Sequence, residues 1–256
     1  MKVDFGLTAG DYRKYRAGYP DELYDRLKKY GVGLKGQSVL DLGTGTGYLA
    51  RKFAKQGARV TGIDISKELI KEARELDEQE GVHSRYVIAR AEALPFSDSE
   101  FDVVTAGQCW HWFQADQVLK EVRRVLRPHG KLAIIHLDWL PLKGNIVEKT
   151  EKLILSYNPD WQGAGGTGVY PAWFTQVAIG GFSGIESFTF DLMIPYSQEA
   201  WRGRIRASAG VGASLPPDAI ARFDHEFKEF LEKNYEETLK IPHRVFCLVC
   251  TPKEEP

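Results

Sequence analysis

A chain of 256 residues, 43% of them hydrophobic, has the apolar content for one α/β domain with elaborations, or for one domain plus a small cap. Its 34 basic and 35 acidic residues leave a formal charge of −1, which excludes a general electrostatic pull toward nucleic acid or an anionic membrane. No apolar run is long enough to span a bilayer, Met1-Lys2-Val3-Asp4 does not open like a secretory signal, and three cysteines, odd and sparse, suit a reducing cytoplasm.

In chain order, residues 20–30 read as a helix, with Pro20 in its first turn and Gly31 beyond its end. A strand over 38–43 feeds a helix over 47–56, and a strand over 58–63 feeds a helix over 66–79 that Ser66 caps. Further strands are expected at 84–89, 101–106 and 131–136, with a helix at 115–126 between the last two. This alternation implies a doubly wound, Rossmann-like sheet, mostly parallel, with right-handed crossovers burying both faces. Beyond residue 140 the rhythm breaks. A Gly- and Pro-rich loop is expected over 158–170, strands at 185–192 and 243–251, and a helix over 217–234. Cys247 and Cys250 fall on the last strand, where positions three apart face opposite sides, so they are expected to pack in the core.

The run Val39-Leu40-Asp41-Leu42-Gly43-Thr44-Gly45-Thr46-Gly47 is a strand, an acid at its end and a turn with glycine at every second position. Bare backbone there lets a ligand lie close. Asp64 closes the next strand, at the distance of the carboxylate that takes a ribose in nucleoside-binding folds. Gly45–Ala50 also fits the dinucleotide pattern G-x-G-x-x-G/A. A pyrophosphate, however, would sit close to the negative Asp41, whereas a ligand carrying an amine and a sulfonium would be attracted to it. Asp41 therefore favours S-adenosylmethionine.

An acid followed by G-x-G-x-G resembles the first motif of the class I S-adenosylmethionine-dependent methyltransferases. The resemblance implies that Gly43, Thr44, Gly45 and Gly47 pass under the methionine and ribose, that Asp64 accepts from the ribose hydroxyls, and that Ile65 joins them. Ala91-Glu92-Ala93-Leu94-Pro95-Phe96 resembles the stretch after the third strand of that family. Arg90 stands where the family has an adenine-binding Asp, so the resemblance leaves the Ala91 backbone and Glu92 as substitutes. Gln108-Cys109-Trp110-His111-Trp112-Phe113, with Leu119 to Gly130, resembles the trans-aconitate-methyltransferase-like small-molecule group. So does Tyr12-Arg13-Lys14-Tyr15-Arg16-Ala17-Gly18-Tyr19-Pro20, although Ala17 replaces an inner proline and His129 a usual glycine. By this analogy Tyr12, Tyr15, Arg16 and Tyr19 form a lid in which aromatic rings meet the sulfonium.

The strand end before Gln108 opens on the ligand crevice. Gln108 is expected near the sulfonium, and His111, with Trp112, on the acceptor, where His111 serves as general base or as pocket wall. Arg204 and Arg206, in a basic segment from Trp201, are expected either to clamp an acceptor carboxylate or to face solvent. Trp161, Trp173 and Trp201 line or pack a cap. The expected whole is a single methyltransferase domain over 1–256, with seven strands, one antiparallel, lid helices over 1–30 and a cap insertion over 196–240. Its partner would be a small-molecule acceptor, possibly a carboxylic acid, with no metal, nucleic acid or membrane, in a monomer or homodimer. A nicotinamide-dependent oxidoreductase and a non-catalytic S-adenosylmethionine-binding module stay open as alternatives.

Overall fold

The computed structural model describes Lys14, Tyr15 and residues 18–253. Helix α1 (Asp21–Lys29) starts after an extended Pro20, carries Asp21 and Glu22 in its first turn and Lys28 and Lys29 in its last, and so matches the helix dipole at both ends. There follow β1 (Ser38–Leu42), α2 (Tyr48–Lys55), β2 (Arg59–Asp64), α3 (Lys67–Gln79), β3 (Arg85–Ile88), β4 (Phe101–Gly107), α4 (Ala115–Val125) and β5 (Leu126–Trp139). The expected alternation is present to within a few residues, and the Ser66 hydroxyl caps α3 by accepting from the Leu69 amide.

Two helices that the sequence reading missed come next, α5 (Ile146–Tyr157) and α6 (Pro171–Ile179). Both carry start signals: Asn145 accepts from the Glu148 amide, and Pro171 occupies the first turn of α6. Strand β6 (Phe182–Ser197), α7 (Gln198–Arg206), α8 (Pro217–Asn234) and β7 (Thr238–Pro252) complete the chain. The segment from Trp201 to Arg206 is thus helical, and β5, β6 and β7 run longer than their apolar runs suggested.

The seven strands form one sheet in the order β3-β2-β1-β4-β5-β7-β6. Parallel pairing runs from β3 through β5, and its register places Asp41 opposite Thr105 on β4 and Gly62 on β2. The Lys253 amide donates to the Gly181 carbonyl and the Gln198 amide to the Glu237 carbonyl, so β7 runs antiparallel to β6. His129, where the related family usually has glycine, holds φ +64°; histidine is among the residues that tolerate this left-handed region.

The chain divides into two compact units. One comprises Gly18–Leu137, Tyr170–Thr189 and the chain from Val245, with a core of Leu40, Leu42, Ile63, Val104, Trp110, Val122 and Ile134. Cys247 and Cys250 are buried there as free thiols, and burial pushes both up, Cys250 to about 12. The other includes Asp138–Val169 and Phe190–Arg244, with Trp201, Ile205, Phe223, Phe227 and Ile241 packed in a separate core.

Candidate active site

The turn from β1 to α2 holds Gly43, Gly45 and Gly47 at φ +56°, +56° and +80°, a backbone that L side chains resist. The reason for bare backbone differs in part from the expected one. A β-carbon on Gly43 would lie 2.8 Å from Cβ of Cys109, and one on Gly47 would lie 2.5 Å from the Tyr86 hydroxyl. Protein atoms, not only a ligand, demand these two glycines. Gly62 on β2 likewise leaves room for Thr44, whose hydroxyl would stand 2.8 Å from its β-carbon.

That room lets the Thr44 hydroxyl donate to Asp41 at 2.7 Å, while Thr105, opposite in register, donates to the other carboxylate oxygen at 2.7 Å. Asp41 is 2% exposed, and burial pushes its carboxyl up to about 6 against the pull of the two hydroxyls. Each carboxylate oxygen thus accepts one hydrogen bond from a neighbouring threonine. Asp64 at the end of β2 accepts from the Gly45 amide and the Ser66 amide, each at 2.9 Å. Burial raises its carboxyl, and these amides oppose the rise. Beside it Ile65 is 71% exposed, an aliphatic side chain standing open next to a carboxylate. Ala91 is buried, and the Glu92 carboxylate accepts from the Gln114 amide at 3.3 Å and lies 3.6 Å from the Arg90 guanidinium.

Past β4 the chain turns sharply at Gln108, which holds φ +61°. The Gln108 side-chain amide donates to the Leu137 carbonyl, and its backbone amide to the Ile135 carbonyl at 2.9 Å. Tyr19 reaches the same strand end: a β-carbon on Gly107 would lie 2.8 Å from its hydroxyl. A single 3₁₀ turn, Trp110–Trp112, buries Trp110 and leaves His111 and Trp112 exposed, with the two exposed rings 4.6 Å apart. His111 Nδ1 is 3.2 Å from Nε2 of His136, and His136 Nδ1 is 2.9 Å from the Tyr170 hydroxyl.

Residues 40–134 match the family model described as a methyltransferase domain. An uncharacterised methyltransferase of Mycobacterium tuberculosis is 32% identical over 153 residues, 57% of this chain and 60% of the relative. By these matches the segment 40–134 is similar to the class I S-adenosylmethionine-dependent methyltransferases. A ubiquinone/menaquinone biosynthesis C-methyltransferase of Laribacter hongkongensis is 40% identical over 114 residues, 42% of this chain and 47% of that protein. The chain thus spans about half to 60% of these curated relatives' lengths. The fold of a Haemonchus contortus phosphoethanolamine N-methyltransferase, solved with S-adenosylhomocysteine, superposes with TM-score 0.60 at 20% identity, over 97% of this chain and 58% of that one.

The fold brings Asp41, Gly43, Thr44, Gly45, Gly47, Asp64 and Ile65 together at the ends of β1 and β2, and Tyr19, Gln108 and His111 at the end of β4. Tyr12 and Arg16 lie outside the described residues. Tyr15 donates to Glu199 at 3.2 Å and packs against Gly203. Arg206 pairs with Glu199 at 3.0 Å and Asp224 at 2.7 Å, and the Arg204 guanidinium lies 4.8 Å from the Trp139 ring centre. Thr105, His136 and Tyr170 escaped the sequence reading. Thr105 and His136 stand near the carboxyl ends of β4 and β5, the edge that lines the crevice in such sheets, and that rule could have found them. Tyr170 ends a glycine-rich loop and carries no local signal. Among the described residues no cluster suits a metal, and no helix is long and apolar enough to cross a membrane.

Proposed function

We propose that this chain transfers a methyl group from S-adenosylmethionine to a small molecule. The observation that carries the reading is the Asp64 carboxylate, tied to the Gly45 amide of the glycine turn and flanked by the exposed Ile65. A carboxylate beside an open aliphatic face fits a ribose and its adenine. Asp64 would hold the ribose hydroxyls, Ile65 would cover the base, and the Gly43–Gly47 backbone would leave space for the methionine. The ligand supplies an activated methyl on a positively charged sulfur, and the buried charge of Asp41 favours such a cation. The remaining task of the chain is to align acceptor and methyl and to exclude water, for which the aromatic turn Trp110–Trp112 is suited.

The likeness of Gln108 to Phe113 and of Leu119 to Gly130 to the trans-aconitate-methyltransferase-like group supports a small acceptor, as does the near-neutral charge. A carboxylate clamp by Arg206 finds less support, because Glu199 and Asp224 already neutralise that guanidinium. Cys109, Cys247 and Cys250, buried as thiols, agree with a reducing compartment.

Incubating the purified protein with methyl-labelled S-adenosylmethionine and a metabolite extract tests the reading: a labelled small molecule is the expected product. Calorimetric binding without any labelled product would make the chain a sensor. Thermal stabilisation by a nicotinamide dinucleotide in place of S-adenosylmethionine would make it an oxidoreductase.

A further inference from the structure

His136 lies near the carboxyl end of β5, 3% exposed, with a polar neighbour at each ring nitrogen. Its Nε2 faces Nδ1 of His111 at 3.2 Å and its Nδ1 faces the Tyr170 hydroxyl at 2.9 Å. The three groups form a line from the half-buried Tyr170, through a buried imidazole, to an imidazole exposed at the end of β4. The line is packed among aromatic rings. Tyr170 stacks on Trp173 with ring centres 3.8 Å apart and planes 4° from parallel, and Trp173 meets His136 edge-on at 5.1 Å. Phe246 packs against both Tyr170 and Trp173.

A neutral imidazole carries one hydrogen, so each contact in this line constrains the next. If His111 is to take a proton at Nε2, the nitrogen turned away from His136, its own hydrogen must sit on Nδ1. His136 then accepts that hydrogen at Nε2 and donates from Nδ1 to the Tyr170 oxygen. All the hydrogens point one way, from His111 toward Tyr170.

We propose, resting on the methyl-transfer reading above, that His136 and Tyr170 are positioning residues. They hold His111 as base for an acceptor whose attacking atom carries a proton, a hydroxyl or an amine. When that oxygen or nitrogen takes the methyl, a new C–O or C–N bond forms. The C–S bond breaks with its electron pair going to sulfur, and the acceptor proton passes to His111 Nε2. The imidazolium so formed keeps its Nδ1 hydrogen on His136, which spreads the charge away from the departing neutral thioether. A carboxylate acceptor arrives without its proton and has no use for such a line.

The test uses the full chain labelled with ¹⁵N-histidine and long-range proton–nitrogen spectra of the rings, in wild type, Tyr170→Phe and His136→Asn. Tyr170→Phe removes one oxygen and keeps the ring on Trp173, so it preserves the fold. In wild type at pH 8 both histidines should show the Nδ1–H form. In Tyr170→Phe, His136 should become a mixture of tautomers and the titration midpoint of His111 should move. Turnover of the acceptor recovered by labelling should fall about 10-fold in either variant, and its pH profile should shift, with calorimetric affinity for S-adenosylmethionine within about twofold of wild type. Tautomers and His111 titration unchanged in both variants would overturn the line. A methyl ester as the labelled product would overturn the acceptor class. Failure of wild type to bind S-adenosylmethionine would instead sink the methyl-transfer reading and the acceptor class with it, while the ring spectra still judge the hydrogen-bonded line by itself.

Discussion

The Gly45 amide donates to the Asp64 carboxylate at 2.9 Å, so the glycine turn after β1 and the acid that closes β2 are tied directly to each other. On the proposed reading one residue both shapes the turn and presents charge to a ligand, so loss of Asp64 removes a brace and, with it, a ligand contact. Asp64→Ala is expected to weaken S-adenosylmethionine binding by about 10- to 100-fold, since each charge-assisted bond contributes roughly 1.5–3 kcal/mol. Asp64→Asn, which keeps an acceptor for Gly45, should lose less. Titration calorimetry decides; affinity within twofold of wild type for the alanine variant would remove Asp64 from the ribose.

Asp41 should make stability depend on pH in an unusual direction for a carboxylate. Its folded-state value near 6 lies above the 3.8 of an open chain. Below pH 3.8 both states hold the proton and nothing is lost. As pH rises to 6 the unfolded chain ionises first, so folding loses stability over that interval. Asp41→Asn has no such loss, and its stability relative to wild type should rise by about 2 kcal/mol between pH 4 and pH 7. Denaturation curves at both pH values check this, and a constant difference would contradict it.

At Gly43 the φ of +56° and the 2.8 Å approach to Cys109 combine. Gly43→Ala should destabilise the chain by about 1–3 kcal/mol, from strain and overpacking together. Guanidinium denaturation measures it, and a variant as stable as wild type would show that the turn relaxes freely.

His111 is exposed on the aromatic turn, apart from the Gly45–Asp64 pair. His111→Ala should slow methyl transfer by roughly 10²- to 10⁴-fold while cofactor affinity stays near wild type. A binding defect with normal turnover would give His111 a role in holding the ligand.

Asp224 on α8 accepts from both Arg202 and Arg206 of α7, and these guanidinium partners hold its carboxyl below the usual range against the cost of burial. Asp224→Ala leaves Arg202 and Arg206 sharing Glu199 alone and should cost roughly 1–3 kcal/mol. The contribution of Asp224 is complete above the open-chain value of 3.8 and fades only as acid protonates the lowered folded-state carboxyl, so the gap to wild type should begin to narrow below pH 4. Thermal melts at pH 7 and pH 3.5 separate this from a packing effect, which would keep the gap constant.

The glycine turn, Asp41, Asp64 and the β/α alternation were legible because each is written over a few adjacent residues. A left-handed turn demands glycine locally, and a buried parallel strand demands an unbroken apolar run. The second reason for Gly43 was not legible, because Cys109 comes near it only through the pairing of β1 with β4. Helices α5 and α6 were passed over although Asn145 and Pro171 mark their starts, since neither lies in the repeating pattern that organises the first half.

From the sequence alone follow a nucleoside-type turn, a carboxylate at the ribose distance and an exposed-site candidate in His111, all of which depend on near neighbours in the chain. Tertiary structure alone decided that His136 and Tyr170, 25 and 34 residues apart from their partners along the chain, join His111 in one line, and that Arg206 faces Asp224. Hydrogen bonds and ion pairs act over about 3 Å of space, and no local pattern records which distant side chains the sheet order and helix packing bring within that range.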